Sequence, residues 1–140
     1  MIVIENISKY LLENGIKPSV QRLKIFEYLS NTIEHPTVET IFNALSEEIP
    51  TLSKTTVYNT LRLFQSKGIV NVINIEDNET RYDADTSFHG HFKCTECGKV
   101  YDFKVDISKI NFKELENFKI KESHYYLKGI CKYCLNNNNL

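Results

Sequence analysis

Four cysteines fall as two pairs, Cys94-x-x-Cys97 and Cys131-x-x-Cys134, and two histidines, His89 and His91, stand just before the first pair. Paired thiols at this spacing are zinc knuckles. Two knuckles complete a four-sulfur tetrahedral site, which is structural because no coordination position stays open for chemistry. Gly98 follows the first knuckle, where a left-handed residue lets backbone amides point at the sulfurs, and glycine turns that way without strain. The interval Gly98 to Ile130 is long, so the chain between the knuckles must fold as a small element of its own. Two redox dithiols or a disulfide framework are the competing readings; the paired spacing and the absence of secretory features favour metal. The sulfur site has no need of His89-Gly90-His91. Alternate residues of a strand share a face, so these two imidazoles can chelate one further ion.

The elements that position these groups follow from apolar spacing. Ile4, Ile7, Tyr10 and Leu11 form one helical stripe, stopped by Asn14-Gly15. Pro18-Ser19 opens a second helix with Val20, Leu23, Ile25, Phe26, Tyr28 and Leu29 as its apolar positions. His35-Pro36-Thr37 punctuates the chain, and Val38, Ile41, Phe42, Leu45 and Ile49 mark a third. Pro50 and Ser53 open a fourth, which runs from Thr55 to Lys67 and stops at Gly68. Alternation then takes over at Val70, Val72, Ile73 and Ile75, with a polar turn at 76–79 followed by Thr80 and Tyr82, the pattern of a β-hairpin. Phe92, Val100, Tyr101 and Phe103 predict two strands around the first knuckle. Ile107 to Phe118 predicts a helix, and Tyr125 to Ile130 a strand that returns the second knuckle. Asn136–Asn139 reads as a low-complexity, disordered tail. The expected fold is α+β: a winged helix-turn-helix domain over residues 1–83, a hinge over 84–88, and a small α/β domain with the four-cysteine zinc site over 89–140. So small a sheet leaves edges and apolar surface bare, which predicts a homodimer through this half.

In a winged helix-turn-helix the helix before the wing enters the major groove. Here Ser53, Lys54, Thr55, Thr56, Tyr58, Asn59 and Arg62 face outward, with Val57, Leu61 and Phe64 toward the core. Hydroxyls, an amide and two cations suit phosphates and base edges. Gln21, Arg22 and Lys24 on the second helix add backbone contacts. The bland alternative is a helical domain with a solvated face and a hairpin that covers its core.

Composition limits the classes. At 140 residues there is room for one or two small domains but not for a large enzyme cleft. The formal net charge of -1 decides nothing, so a DNA binder of this make-up must localise its cations on one face. Glu5, Lys9 and Glu13 interrupt the apolar N-terminal stretch, unlike a signal peptide, and no run is long enough to span a membrane. A cytoplasmic, reducing setting is expected, with the thiols available for metal.

Taken together, PSVQRLKIFEYL, EHPTVETIFNAL, SKTTVYNTLRLFQSKGIV, RYD, HGHFKCTECGKVYDF and GICKYC resemble the ferric uptake regulator family of metal-dependent repressors, over nearly the whole chain. The resemblance implies an N-terminal winged helix, a hinge and a C-terminal dimerisation domain, with structural Zn2+ at Cys94, Cys97, Cys131 and Cys134. It implies a regulatory ion held by His35, Asp83, His89, His91 and Asp102, and binding to an A/T-rich inverted repeat of double-stranded DNA. Three imidazoles and two carboxylates accommodate Fe2+ or Mn2+, and would also accept zinc. Asp102 and Asn59 resemble the peroxide-responsive branch, where iron-responsive members usually carry glutamate and arginine. In that branch iron and hydrogen peroxide oxidise ligand histidines, here His35 and His89, and the repressor leaves its operator. Without that chemistry the chain would be an iron or manganese level sensor. Some members have another metal site interleaved with the His-x-His motif. Phe88 and Gly90 occupy those positions here, so that site is absent or degraded, with His124 as a conceivable remnant. Asp85, two residues from Asp83, is an alternative hinge ligand.

Two rivals come from other classes. A zinc deaminase needs His-x-Glu and Pro-Cys-x-x-Cys, whereas His91 stands two after His89 and no proline precedes Cys94. A thiol switch in which peroxide ejects zinc leaves His35, His89, His91 and Asp102 unexplained. The expectation is therefore a regulator and not an enzyme.

Overall fold

A computed structural model of the chain describes residues 4–76, 79–87, 89–106, 109–120 and 123–137. Its first four helices each begin on a polar side chain that accepts the backbone N–H three residues on. Asn6 caps α1 (Ile7–Glu13), Ser19 caps α2 (Val20–Ser30), Thr37 caps α3 (Val38–Leu45) and Ser53 caps α4 (Lys54–Ser66), at 3.0–3.2 Å. Each cap satisfies a donor the helix cannot satisfy itself. Gly15 and Gly68, at φ 75° and 76°, end α1 and α4. Ile16 N–H then bonds Leu11 O and Ile69 N–H bonds Phe64 O, the left-handed stop expected of a glycine there. A hairpin of β1 (Asn71–Glu76) and β2 (Glu79–Asp83) follows, paired Asn71 to Asp83, Val72 to Tyr82 and Ile73 to Arg81. The expected turn residues Asp77 and Asn78 lie outside the described residues.

The chain divides into two compact units, Met1–Thr86 and Ser87–Leu140. The first has a continuous apolar core of Leu11, Ile25, Phe26, Ile41, Val57, Leu61 and Phe64, all fully buried. Phe26 meets Phe64 edge-on at 5.6 Å between ring centroids, a favoured aromatic geometry. Val20, expected to face this core, is instead 67% exposed beside the helix start. Ile49 reaches the core from beyond the end of α3.

The second unit is a three-stranded sheet in the order β4-β3-β5, made of β3 (Gly90–Cys94), β4 (Val100–Phe103) and β5 (Tyr126–Gly129). β3 and β4 are antiparallel across the first knuckle, with His91 opposite Asp102, while β5 runs parallel to β3 and leads into the second knuckle. Two expectations fail here. The described part of Ile107–Phe118 is not an α-helix: a 3-10 turn, Lys113–Leu115, stands there, and Asn117 turns left-handed at φ 69°. Its apolar residues Phe112, Leu115 and Phe118 are exposed; with these side chains left in solvent the stripe gains too little burial to stabilise a helix. Ile107 and Ser108 lie outside the described residues. The polyasparagine run is also not wholly a loose tail. A fifth helix, α5 (Lys132–Asn137), takes in Asn136 and Asn137, nucleated by the second knuckle through Leu135 N–H to Cys131 O at 3.0 Å.

Candidate metal centres and nucleic-acid interface

The four cysteine sulfurs lie within 4.8 Å of one another. Cys94 Sγ is 3.8 Å from Cys134 Sγ, and Cys97 Sγ is 3.9 Å from Cys131 Sγ. Four sulfurs about 2.3 Å from a shared zinc stand about 3.8 Å apart along each tetrahedral edge. Disulfides would need about 2.05 Å, so the framework reading fails and the residues fit zinc. Gly98 adopts φ 80° as expected. The sulfurs are supported from outside: Cys94 Sγ accepts the N–H groups of Cys97 and Cys131, each at 3.4 Å. Those two bonds, Cys97 first, pull the Cys94 thiol down to about 6. The Cys134 N–H lowers Cys131. Burial, followed by its sulfur neighbours, pushes Cys134 up to about 12. The Tyr101 hydroxyl hydrogen-bonds Cys131, which raises its own pKa.

Within the second unit, His89 and His91 approach edge-on with ring centroids 4.6 Å apart. Asp102 Oδ1 stands 3.5 Å from Nε2 of both rings. Those separations exceed the roughly 2.9 Å of an N–H···O bond and are those of donor atoms gathered around a common point. His89 Nδ1 lies 2.6 Å from Ser87 O; as donor it fixes the ring and leaves the Nε2 lone pair for a metal. Strand alternation puts Cys94 and His91 on opposite faces of β3.

Gly90, between the histidines, is cross-strand partner to Phe103. A Cβ at Gly90 would lie less than 3.0 Å from Cζ, Cε2 and Cε1 of that ring. Phe103 thus covers the glycine backbone on the face away from the imidazoles. Phe88 lies outside the described residues. His124 is exposed, 6.0 Å from the Tyr126 ring.

Within the first unit, His35 Nε2 lies 3.2 Å from Asp83 Oδ2, with His35 3% exposed. The other carboxylate oxygen of Asp83 accepts the Asp85 N–H at 2.9 Å. Asp83 is therefore the carboxylate that faces His35, and Asp85 supports it through its backbone.

The outward face of α4 carries Lys54, Thr55, Tyr58, Asn59 and Arg62, all exposed, with Thr56 half-buried. Ser53 and Thr56 are engaged with each other, Oγ to Oγ1 at 2.9 Å, as part of the helix cap. Lys54 is drawn toward Glu39, 3.7 Å away, and Arg62 lies 5.8 Å over the Tyr58 ring. Beside this face a groove of about 690 Å³ is lined by Lys17, Ser19, Gln21, Arg22, Thr56 and Asn59. Lys17 escaped the sequence reading because it precedes α2 and belongs to no helical face; its carbonyl accepts from Arg22 Nη1 at 2.8 Å.

A winged helix followed by a small cysteine-bound sheet defines a class, and comparison with known proteins agrees. The family model described as the ferric uptake regulator family matches residues 13–128. The chain belongs to the ferric uptake regulator family. The peroxide operon regulator of Bacillus subtilis (strain 168) is 36% identical over 132 residues, spanning 92% of this chain and 91% of its own. The solved structure of PerR from Streptococcus pyogenes, described for peroxide sensing and gene regulation, is 31% identical with a TM-score of 0.55, covering 96% of this chain and 94% of its own. The ferric uptake regulator of Vibrio cholerae is 28% identical with a TM-score of 0.75, covering 90% and 100%. The α+β fold expected from the sequence is the fold of these relatives. Among the described residues no helix is long and apolar enough to cross a membrane.

Proposed function

We propose that the chain is a metal-dependent, DNA-binding transcriptional repressor that senses hydrogen peroxide. The carrying observation is the second unit's convergence of His89, His91 and Asp102, matched in the first unit by His35 facing Asp83. These five residues are proposed to hold one Fe2+ or Mn2+ ion, and Cys94, Cys97, Cys131 and Cys134 a structural Zn2+. The sulfur-free donor set suits the former and the tetrahedral sulfur edges the latter. An ion that needs ligands from both units binds best in one relative orientation of them and shifts the population toward it. If that orientation spaces two recognition helices for one operator, metal and DNA binding are coupled reciprocally.

The names of the relatives support the peroxide reading. Ferrous iron at this site would activate hydrogen peroxide, so that one of its oxygen atoms passes to an imidazole C–H and the other leaves as water, a two-electron oxidation of the ligand. The imidazoles of His35 and His89 are the groups that gain an oxygen atom, which weakens them as ligands and releases the DNA. Arg22, Ser53, Lys54, Thr55, Thr56, Tyr58, Asn59 and Arg62 are proposed as the DNA face. The partners are a second copy of the chain and a double-stranded operator, and the working compartment is the cytoplasm. Exposed Phe118, Leu127, Tyr133 and Leu135 on the second unit are apolar surface that a partner copy would cover. The role is regulatory and not enzymatic.

The test is peptide mass spectrometry of anaerobically iron-loaded protein before and after stoichiometric hydrogen peroxide. One added oxygen atom on the peptides holding His35 or His89, with the four cysteines intact, is the expected result. Oxidised cysteines with unmodified histidines would establish the thiol switch, and no modification would make the chain a metal-level sensor.

A further inference from the structure

His35 is one of two non-glycine residues at positive φ among the described residues, at 55°. A left-handed backbone brings Cβ against the following carbonyl, so an L-residue stays there only if its surroundings hold it. What holds it is β2. Arg81 Nη1 donates to His35 O at 3.1 Å and lies 3.4 Å from Glu34 O, while Tyr82 N–H donates to Pro36 O at 3.0 Å. Arg81 Nη2 is itself set by Glu79 Oε1 at 3.5 Å. Arg81 and Asp83, two residues apart on one strand, point the same way. One therefore grips the main chain of His35 and the other faces its imidazole.

We propose that Arg81 is a positioning residue of the regulatory centre: it fixes His35 in its left-handed pose and so fastens the metal ligand to the wing strand. This rests on the reading of His35 as a ligand. A planar guanidinium can serve two successive carbonyls and a carboxylate at once, whereas an ammonium is a single point that cannot keep the fork. The ligand and the wing then move as one piece. Loss of the ion, or oxidation of His35, loosens a loop tied directly to β2, and from there to its hairpin partner β1.

The experiment is Mn2+ titration of the zinc-loaded full chain, followed by the paramagnetic resonance signal of free Mn2+. The proteins are wild type, Arg81→Lys, Arg81→Met, His35→Ala and the His35→Ala/Arg81→Met double variant. Arg81→Met should weaken Mn2+ binding about 10- to 100-fold, the usual range for a partner that orients a ligand, with Arg81→Lys in between. In the His35→Ala background the same change should add nothing, because Arg81 acts through His35. A full further loss in that background would overturn the proposal, as would unchanged affinity in Arg81→Met while His35→Ala is weakened. If His35→Ala alone binds Mn2+ as well as wild type, His35 is not a ligand and both readings fall. Should Arg81→Met not fold, Arg81→Lys decides by the same comparison with and without His35.

Discussion

Gly90→Ala adds one methyl group, and the structure says where it must go. The new Cβ would sit less than 3.0 Å from three ring atoms of Phe103, so either the ring swings off the sheet or β3 draws away from β4. Forcing a methyl into a packed position costs about 1–3 kcal/mol. His91 and Asp102 are the next cross-strand pair, so strand displacement falls on the ligands directly. If the whole cost appears in metal affinity, Mn2+ binds about 5- to 150-fold more weakly, at 1.4 kcal/mol per factor of ten. Mn2+ titration of zinc-loaded protein measures this, with bound zinc assayed in parallel to show that the sulfur site is intact. The reasoning makes a sharper demand on the double variant. Phe103→Ala removes the obstacle, so Gly90→Ala/Phe103→Ala should bind Mn2+ more tightly than Gly90→Ala alone. A Gly90→Ala protein indistinguishable from wild type, or no relief in the double variant, would refute the account of Phe103.

Other outcomes are expected. Cys94→Ser should lose bound zinc and unfold the Ser87–Leu140 unit, since structural zinc contributes roughly 10 kcal/mol or more; a folded, zinc-free dimer by circular dichroism and ultracentrifugation would be decisive against it. Zinc binding at pH 7.5 should release protons, because burial leaves Cys134 protonated until a metal displaces its proton. Metal affinity should accordingly fall as the pH drops, most steeply as Cys94, lowered to about 6, takes up its proton; calorimetry in buffers of different ionisation enthalpy counts these protons. Arg62→Ala should weaken operator binding and reduce the slope of log affinity against log salt by about 1, so an unchanged slope in gel-shift titrations would move the DNA face elsewhere. Asp102→Glu should blunt peroxide sensitivity in a DNA-release assay while preserving Mn2+-dependent binding, and equal sensitivity would show that the extra methylene is immaterial.

The first unit was legible where local chemistry decides structure. Ser19, Thr37 and Ser53 cap the helices they precede, and Gly15 and Gly68 stop them, because each acts within four residues of itself. The cysteine cluster was legible for the same reason, its spacing being the ligand spacing. Ile107–Phe118 misled because its apolar period is helical while Phe112, Leu115 and Phe118 stay exposed; periodicity reports a wish to bury a face and not the presence of a partner. Asn136 and Asn137 misled in the opposite direction, since the Cys131–Cys134 turn nucleates a helix that composition alone disfavours. The roles of Arg81 and Phe103 could not be read at all. Arg81 meets a loop 46 residues earlier, and Phe103 meets Gly90 only through the β3–β4 register.

That register has a dependence of its own. His91 and Asp102 face each other only while β3 and β4 are paired as they are, and a slip of one residue would send every side chain to the wrong face. Cys94 ends β3 and Cys97 lies in the turn leading to β4, so an ion held by both thiolates, as proposed for zinc, would pin the register that brings the proposed iron or manganese ligands together. On that proposal the sensing ion's site depends on zinc, while the sulfur site does not depend on the sensing ion. A cell that runs short of zinc would go on making the protein but not the sensor. Its newest copies would be deaf to peroxide however much iron it held, and only those folded in better times would still hear.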